Sequence, residues 1–149
     1  MSMMEVSRQP AFQIRPFEPE DYPAVQQIWQ DTGMADLRRN DGLEVILNTL
    51  RKGGIVMVME RKDTKDMIGT AWITNNGRRL YLHHFGIRPE YQGRGLGYQL
   101  GLACMAFARE KKMQIKLEVH STNTSARRLY KKLGFEVLEG YDVHIHRKP

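Results

Sequence analysis

Apolar and polar positions change period several times along the chain, and each change marks an element. Residues 12–17 alternate, with Phe12 and Ile14 apolar, as a half-buried strand does. Glu18-Pro19-Glu20-Asp21 then gives the acidic, proline-containing start of a helix. Val25, Ile28 and Trp29 fall on one face of it, and Gly33 ends it. Leu43, Ile46, Leu47 and Leu50 repeat at helical spacing as far as Gly53-Gly54. Residues 55–60 are almost continuously apolar, which suits a strand buried on both faces. Residues 67–74 and 80–87 follow as strands, separated by Asn75-Asn76-Gly77, where Asn and Gly tolerate the positive φ of a tight hairpin. These three consecutive strands predict an antiparallel meander.

The second half alternates helix and strand. A helix over 95–112 turns Leu96, Leu100, Ala103, Cys104 and Phe107 inward, and a strand follows at 115–119. Ala126, Leu129, Tyr130 and Leu133 make the apolar face of another helix, closed by Gly134. Residues 135–138 and 141–145 read as a final strand pair. A helical crossover joins 80–87 to 115–119, so those two strands are expected to be parallel. The whole predicts an α/β fold of the α+β type. Its mixed, mostly antiparallel sheet has seven strands and four flanking helices. No linker or repeat interrupts the 149 residues, so a single domain over 1–149 is expected.

Composition narrows the class. Hydrophobic residues at 41% and charged residues at 27% are globular values. No apolar run reaches the roughly 18 residues of a membrane span. The opening MSMMEVSRQP lacks the apolar stretch of a signal peptide. The single cysteine, Cys104, forms no internal disulfide and supports no Cys-based zinc site. A cytoplasmic protein with an inert core thiol is expected. His144 and His146 share a strand face, but no carboxylate or Cys pattern completes a metal site with them or His120.

The net charge of +6 is unevenly placed: residues 1–87 are balanced, and 88–149 hold 12 basic against 6 acidic residues. Such a half suits nucleic acid, an anionic cofactor or a solvated surface. Arg109, Lys111, Lys112, Lys116, Arg127, Arg128, Lys131 and Lys132 make up most of it. No helix-turn-helix, RNP or zinc-finger signature accompanies them, so a nucleic-acid partner is disfavoured.

The chemistry starts at Gln92-Gly93-Arg94-Gly95-Leu96-Gly97, between a strand and a helix. Glycines there permit close backbone approach, and the helix start offers N–H groups to an anion. A phosphate or pyrophosphate is the natural occupant, and Arg94 adds charge. A Walker loop requires Gly-Lys-Ser/Thr where this chain has Gly97-Tyr98-Gln99, and the glycine spacing misses the dinucleotide fingerprint.

Gln-x-x-Gly-x-Gly after a strand ending Phe85-Gly86-Ile87-Arg88-Pro89 resembles the acyl-CoA pyrophosphate loop of the GNAT (Gcn5-related) N-acetyltransferases. Asn123-x-x-Ala126-x-x-Leu129-Tyr130-x-x-x-Gly134-Phe135 resembles that family's later motif, and the element order agrees over nearly the whole chain. Leu117-Glu118-Val119-His120-x-x-Asn123 is similar to the corresponding strand of the enzymes that acetylate ribosomal-protein N-termini. That closer likeness is confined to the second half.

The resemblance implies a GNAT fold whose parallel strand pair splays apart. It implies acetyl-CoA as cosubstrate, no metal, and a primary amine as acceptor, either a protein N-terminus or a small molecule. Residues 85–87 (Phe85, Gly86 and Ile87) would bond the pantetheine arm. Gln92, Gly93, Arg94, Gly95, Leu96, Gly97 and Tyr98 would hold the pyrophosphate, with Asn123 nearby. A backbone N–H near Ile87 would meet the oxyanion. Glu118 falls at the proton acceptor and Tyr130 at the proton donor. A homodimer is common in such proteins. Non-catalytic acyl-CoA sensing is the alternative.

Each residue also has a plainer reading. Glu118 shares a strand face with Lys116 and His120 and suits an ion pair as well as a base. Tyr130 lies on an apolar helix face and Asn123 suits an N-cap. His83 and His84 are adjacent on a predicted strand, so they are expected to face opposite ways, with one able to reach the site as a second candidate base. Asp31, Asp36 and Asp41 flank the connection at 33–42, where acidity suits a cationic amine or simply a solvated loop.

Overall fold

The structure, a computed structural model, describes residues 10–35 and 41–149. Its strands are β1 (Phe12–Pro16), β2 (Ile55–Arg61), β3 (Met67–Asn75), β4 (Leu80–Ile87) and β5 (Ile115–Leu117). Its helices are α1 (Tyr22–Asp31), α2 (Leu43–Arg51), α3 (Leu96–Lys111) and α4 (Thr124–Lys132), with 3-10 turns at Pro19–Asp21 and Pro89–Tyr91. One sheet runs in the order β1-β2-β3-β4-β5. The first four strands are antiparallel neighbours, and β4 pairs with β5 in parallel. The expected mixed sheet, meander and parallel crossover are therefore present.

Among the described residues the sheet has five strands, not seven. Residues 135–138 and 141–145 alternate as strands do, but join no ladder, and Val137, Leu138, Tyr141, Val143 and Ile145 stay exposed. Alternation marks a segment that fits a half-buried pleated surface; only pairing makes it a strand. β5 is also shorter than expected and leaves Glu118 and Val119 outside it.

Two cores lie on opposite faces of the sheet. Trp29, Ile46, Val56, Val58 and Trp72 pack one face under α1 and α2. Met57, Met59, Ile73, Leu100 and Cys104 pack the other under α3. β2 serves both, which accounts for its continuous apolar run. Buried Glu60 is the exception; it accepts hydrogen bonds from Gln13 Nε2 (2.6 Å) and Arg15 Nε (3.0 Å). α4 docks on α3 where a Cβ at Gly101 would overlap Leu133 Cδ1, so glycine sets that approach. Cys104 is buried, and burial pushes its thiol up to about 12, as an inert core thiol requires.

No helix among the described residues is long and apolar enough to cross a membrane. No group of three or more His, Cys, Asp or Glu among them is placed to hold a metal ion.

Candidate active site

The site begins where β4 and β5 part. Their register runs Leu80↔Ile115, Tyr81↔Lys116 and Leu82↔Leu117, and then stops. β4 continues to Ile87 beside β3, and among the described residues no strand pairs with its other edge along residues 85–87. Past Ile87 the chain turns through Pro89–Tyr91 into the glycine loop. Gly93 and Gly95 have φ of +79° and +78°, left-handed values that only glycine adopts without strain. Gly95 caps α3, so the first N–H groups of a 16-residue helix face the loop. Gln92 Nε2 donates to the Ile87 carbonyl at 2.9 Å and ties the loop to the end of β4.

A cleft of about 400 Å³ follows from this arrangement. Phe85, Gly86, Ile87, Gln92, Gly93, Gly95, Gly97, Tyr98, Asn123 and Tyr130 line it, so ten of the residues singled out in the sequence share one wall-to-wall space. Ser125, Ala126 and Leu129 complete the lining. These three sit on the first turns of α4, and the Asn123-x-x-Ala126-x-x-Leu129 spacing already carried two of them. Leu96 instead turns its side chain into the core, and Arg94 lies over the Tyr91 ring at 5.2 Å. Asn123 caps α4, its Oδ1 accepting from Ala126 N–H at 3.2 Å, while also facing the cleft. The Tyr130 ring meets Phe85 and Phe135 edge-on at 5.9 and 5.7 Å. Burial, and then the neighbouring Cys104, push its phenol up to about 12, so it holds its proton at neutral pH.

Side chains on the opposite face of β4 form a second cluster. Glu118 is exposed and accepts a hydrogen bond from the Tyr81 hydroxyl at 2.5 Å. Burial, and then this bond, push Tyr81 up to about 12. Its ring stacks on His83 at 4.9 Å, and His83 Nε2 lies 3.0 Å from Thr74 Oγ1. Burial, and then the charge of His84, hold His83 below the usual histidine value; Glu118 and Asp41 pull the other way. Tyr81 was not singled out in the sequence. The parallel register shows it: Tyr81 stands opposite Lys116, and Glu118 is two residues on.

The two histidines do not face opposite ways. Between Thr70 and Trp72 the β3–β4 register slips by one residue, and His84 takes φ +45°. The bulge turns both rings to the face of Trp72, with centroids 6.2 Å (His83) and 5.4 Å (His84) from it. Buried Thr70 pins the irregularity. Its hydroxyl donates to the His84 carbonyl at 3.0 Å and accepts from Trp29 Nε1 at 3.0 Å. His84 Nε2–H donates to Asp41 Oδ2 at 2.6 Å, with side chains 8% and 16% exposed. Asp31 is engaged elsewhere, bonded by Arg88 Nη1 at 2.7 Å, and Asp36 lies outside the described residues. Met34 closes this side: a Cβ on Gly86 would lie 2.9 Å from its Cε.

Three comparisons bear on this arrangement. The model of the "Acetyltransferase (GNAT) family" matches residues 10–135. Over 74 residues the chain is 36% identical to an N-alpha-acetyltransferase, RimI, of Mycobacterium tuberculosis, covering 47% of this chain and 46% of that one. Over 107 residues it is 32% identical to a mycothiol acetyltransferase of Mycolicibacterium smegmatis, covering 68% of this chain and 34% of that one. The matched stretch thus spans less than half of either relative's length. A predicted acetyltransferase of Clostridium acetobutylicum, solved with acetyl-CoA, superposes with a TM-score of 0.71 at 16% identity, over 91% of this chain and 96% of that one. That likeness shows a shared fold.

Proposed function

The chain belongs to the acetyltransferase (GNAT) family, and on that premise we propose that it moves an acetyl group from acetyl-CoA to a primary amine by direct attack in a ternary complex. The observation that carries this reading is the open edge of β4, which runs without a break into the glycine loop and the N-terminus of α3. Main-chain donors and acceptors along residues 85–87 suit an extended amide-bearing arm, as strand addition does. The left-handed glycines and helix N–H groups suit a pyrophosphate. The group fits the cleft by these features, and when bound it supplies the thioester carbonyl. Gly93, Gly95, Gly97 and Tyr98 hold its phosphates, and Phe85, Gly86 and Ile87 its arm.

Glu118 takes a proton from the acceptor ammonium, directly or through a water. An α-amine has a pKa of about 8 and a lysine amine about 10.4, so most of either is charged at pH 7 and needs that step. Tyr81 holds the Glu118 carboxylate by its hydroxyl. Attack of the neutral nitrogen forms the C–N bond as the C–S bond breaks, and Tyr130 gives its proton to the departing sulfur. Two protons leave the nitrogen, one to Glu118 before attack and a second to solvent as the amide forms; the sulfur takes the Tyr130 proton, which solvent restores, so atoms and charges balance. His83 and His84 serve as second candidates for the base.

The acceptor is a protein N-terminal amine or a small-molecule amine, the two classes named for the relatives. Acetyl-CoA consumption, read as released thiol, tests this across N-terminal peptides, lysine peptides, polyamines and aminoglycosides. Turnover with one class is expected. Acetyl-CoA binding without any turnover would turn the reading to a sensor, and no binding would defeat it.

A further inference from the structure

Gly86 stands on the unpaired edge of β4 with its bare side toward α1. It pairs across the sheet with Thr70, whose hydroxyl meets Trp29 of that helix, and cross-strand partners share a face. Its φ is not left-handed, so the backbone itself does not call for glycine. The space does. A Cβ there would lie 2.9 Å from Met34 Cε and 3.7 Å from Met34 Sδ. Among the described residues, its chain neighbours aside, no other atom comes within 4 Å of that point. The tip of one side chain therefore fills the room beside Gly86.

The main chain fixes where Met34 starts. Gly33 takes φ +75° at the end of α1, and the Met34 and Ala35 N–H groups both donate to the Trp29 carbonyl, at 2.8 and 2.9 Å. From this anchored turn the half-buried side chain packs against the core that holds Trp29 and Trp72, and it ends on Gly86. Methionine is long and unbranched, which lets it cross that gap. Gly86 lines the cleft from its other side. On the reading proposed above, Tyr130 meets the sulfur on the cleft face and Glu118 meets the amine on the opposite face. The reacting carbon lies between them, beside residues 85–86, and Met34 borders that point from the α1 side.

We propose that Met34 sets the length of acyl chain this protein transfers. With the thioether seated on Gly86 there is room for an acetyl group, and a longer chain meets Met34 Cε and Sδ. The residue determines specificity and takes no part in bond making. The inference rests on acetyl-CoA being the donor.

Calorimetry with CoA, acetyl-CoA and butyryl-CoA tests it, together with NMR of protein labelled at the methionine ε-methyl groups. In the wild type, butyryl-CoA is expected to bind at least about tenfold more weakly than acetyl-CoA, the scale of a methylene misfit in an apolar pocket. Met34→Ala is expected to bring the two within about twofold and to leave the affinity for CoA itself unchanged. Met34→Leu shortens the side chain and keeps it apolar. It is expected to narrow the gap in part, and it stands in should the alanine variant not fold. Its spectrum also assigns the Met34 methyl resonance by loss. That resonance is expected to move with acetyl-CoA and to stay in place with CoA. Equal affinity of the wild type for acetyl-CoA and butyryl-CoA would overturn the proposal. So would a gap that both variants preserve, or a Met34 methyl that CoA moves as far as acetyl-CoA does. Failure of all three ligands to bind the wild type would defeat the acetyl-CoA reading, and this inference with it.

Discussion

The two faces of β4 are built differently. The cleft face takes its shape from main chain and small residues that are close in sequence: 85–87, 92–98 and 123–130. The opposite face is assembled from side chains far apart. Tyr81 meets Glu118 across 37 residues, His84 meets Asp41 across 43, and Trp29 meets Thr70 across 41. A cosubstrate that is the same for every acceptor is met by backbone geometry, which tolerates change in most side chains. An acceptor is met by side chains, and each depends on where another element places its partner. On the proposed function, the cofactor side is therefore written as a contiguous motif, and the acceptor side as a set of distant coincidences.

The largest test of that division is Glu118→Gln. Its loss is expected to lower kcat by about 10²-fold or more, the scale of a general base, while calorimetry finds acetyl-CoA affinity within about twofold of wild type. Gly95→Val is the converse. A β-branched residue at φ +78° costs about 1–2 kcal/mol in the left-handed region, so the acetyl-CoA Kd is expected to rise about tenfold with kcat at saturation little changed. If both variants lower both quantities together, the faces are not separable and the division fails.

How far the sequence showed these two faces follows from the same difference. The strand at 80–87, the glycine loop and the helix carrying Ala126, Leu129 and Tyr130 are local, and period, turn residues and capping disclosed them. The bulge is not local. Period-two counting sends His83 and His84 to opposite faces unless a residue is inserted, and the insertion depends on Thr70, fourteen positions away. Nothing in the His83-His84 dipeptide announces φ +45°. The final strand pair failed for a related reason. Alternation at 141–145 describes what the segment fits, not which edge receives it. Glu118 was legible as a candidate only through the family likeness, and its tie to Tyr81 only through the parallel register.

Asp41→Asn is a smaller test, confined to the acceptor face. It weakens the charge-assisted bond to His84 (2.6 Å) without removing the side chain. The KM for the amine is expected to rise several-fold and the acetyl-CoA Kd to stay unchanged by calorimetry. An equal change in both would mean that Asp41 supports β4 as a whole.

The smallest expected effect is a pH dependence of stability. Burial and the facing His84 charge lower His83, while Glu118 and Asp41 oppose the shift. A lowered histidine is neutral in the folded chain over a range where the unfolded chain, with a pKa near 6.5, already binds a proton. Its contribution is therefore intact above about 6.5 and lost as pH falls through the folded value. His83→Gln is expected to flatten the fall of Tm between about pH 7 and 5 by a degree or two. His84→Gln removes the nearby positive charge, so it is expected to move the His83 titration, followed by NMR, toward higher pH. That shift depends on both rings lying on one side of β4. An unmoved titration would separate them again and return the strand to regular alternation.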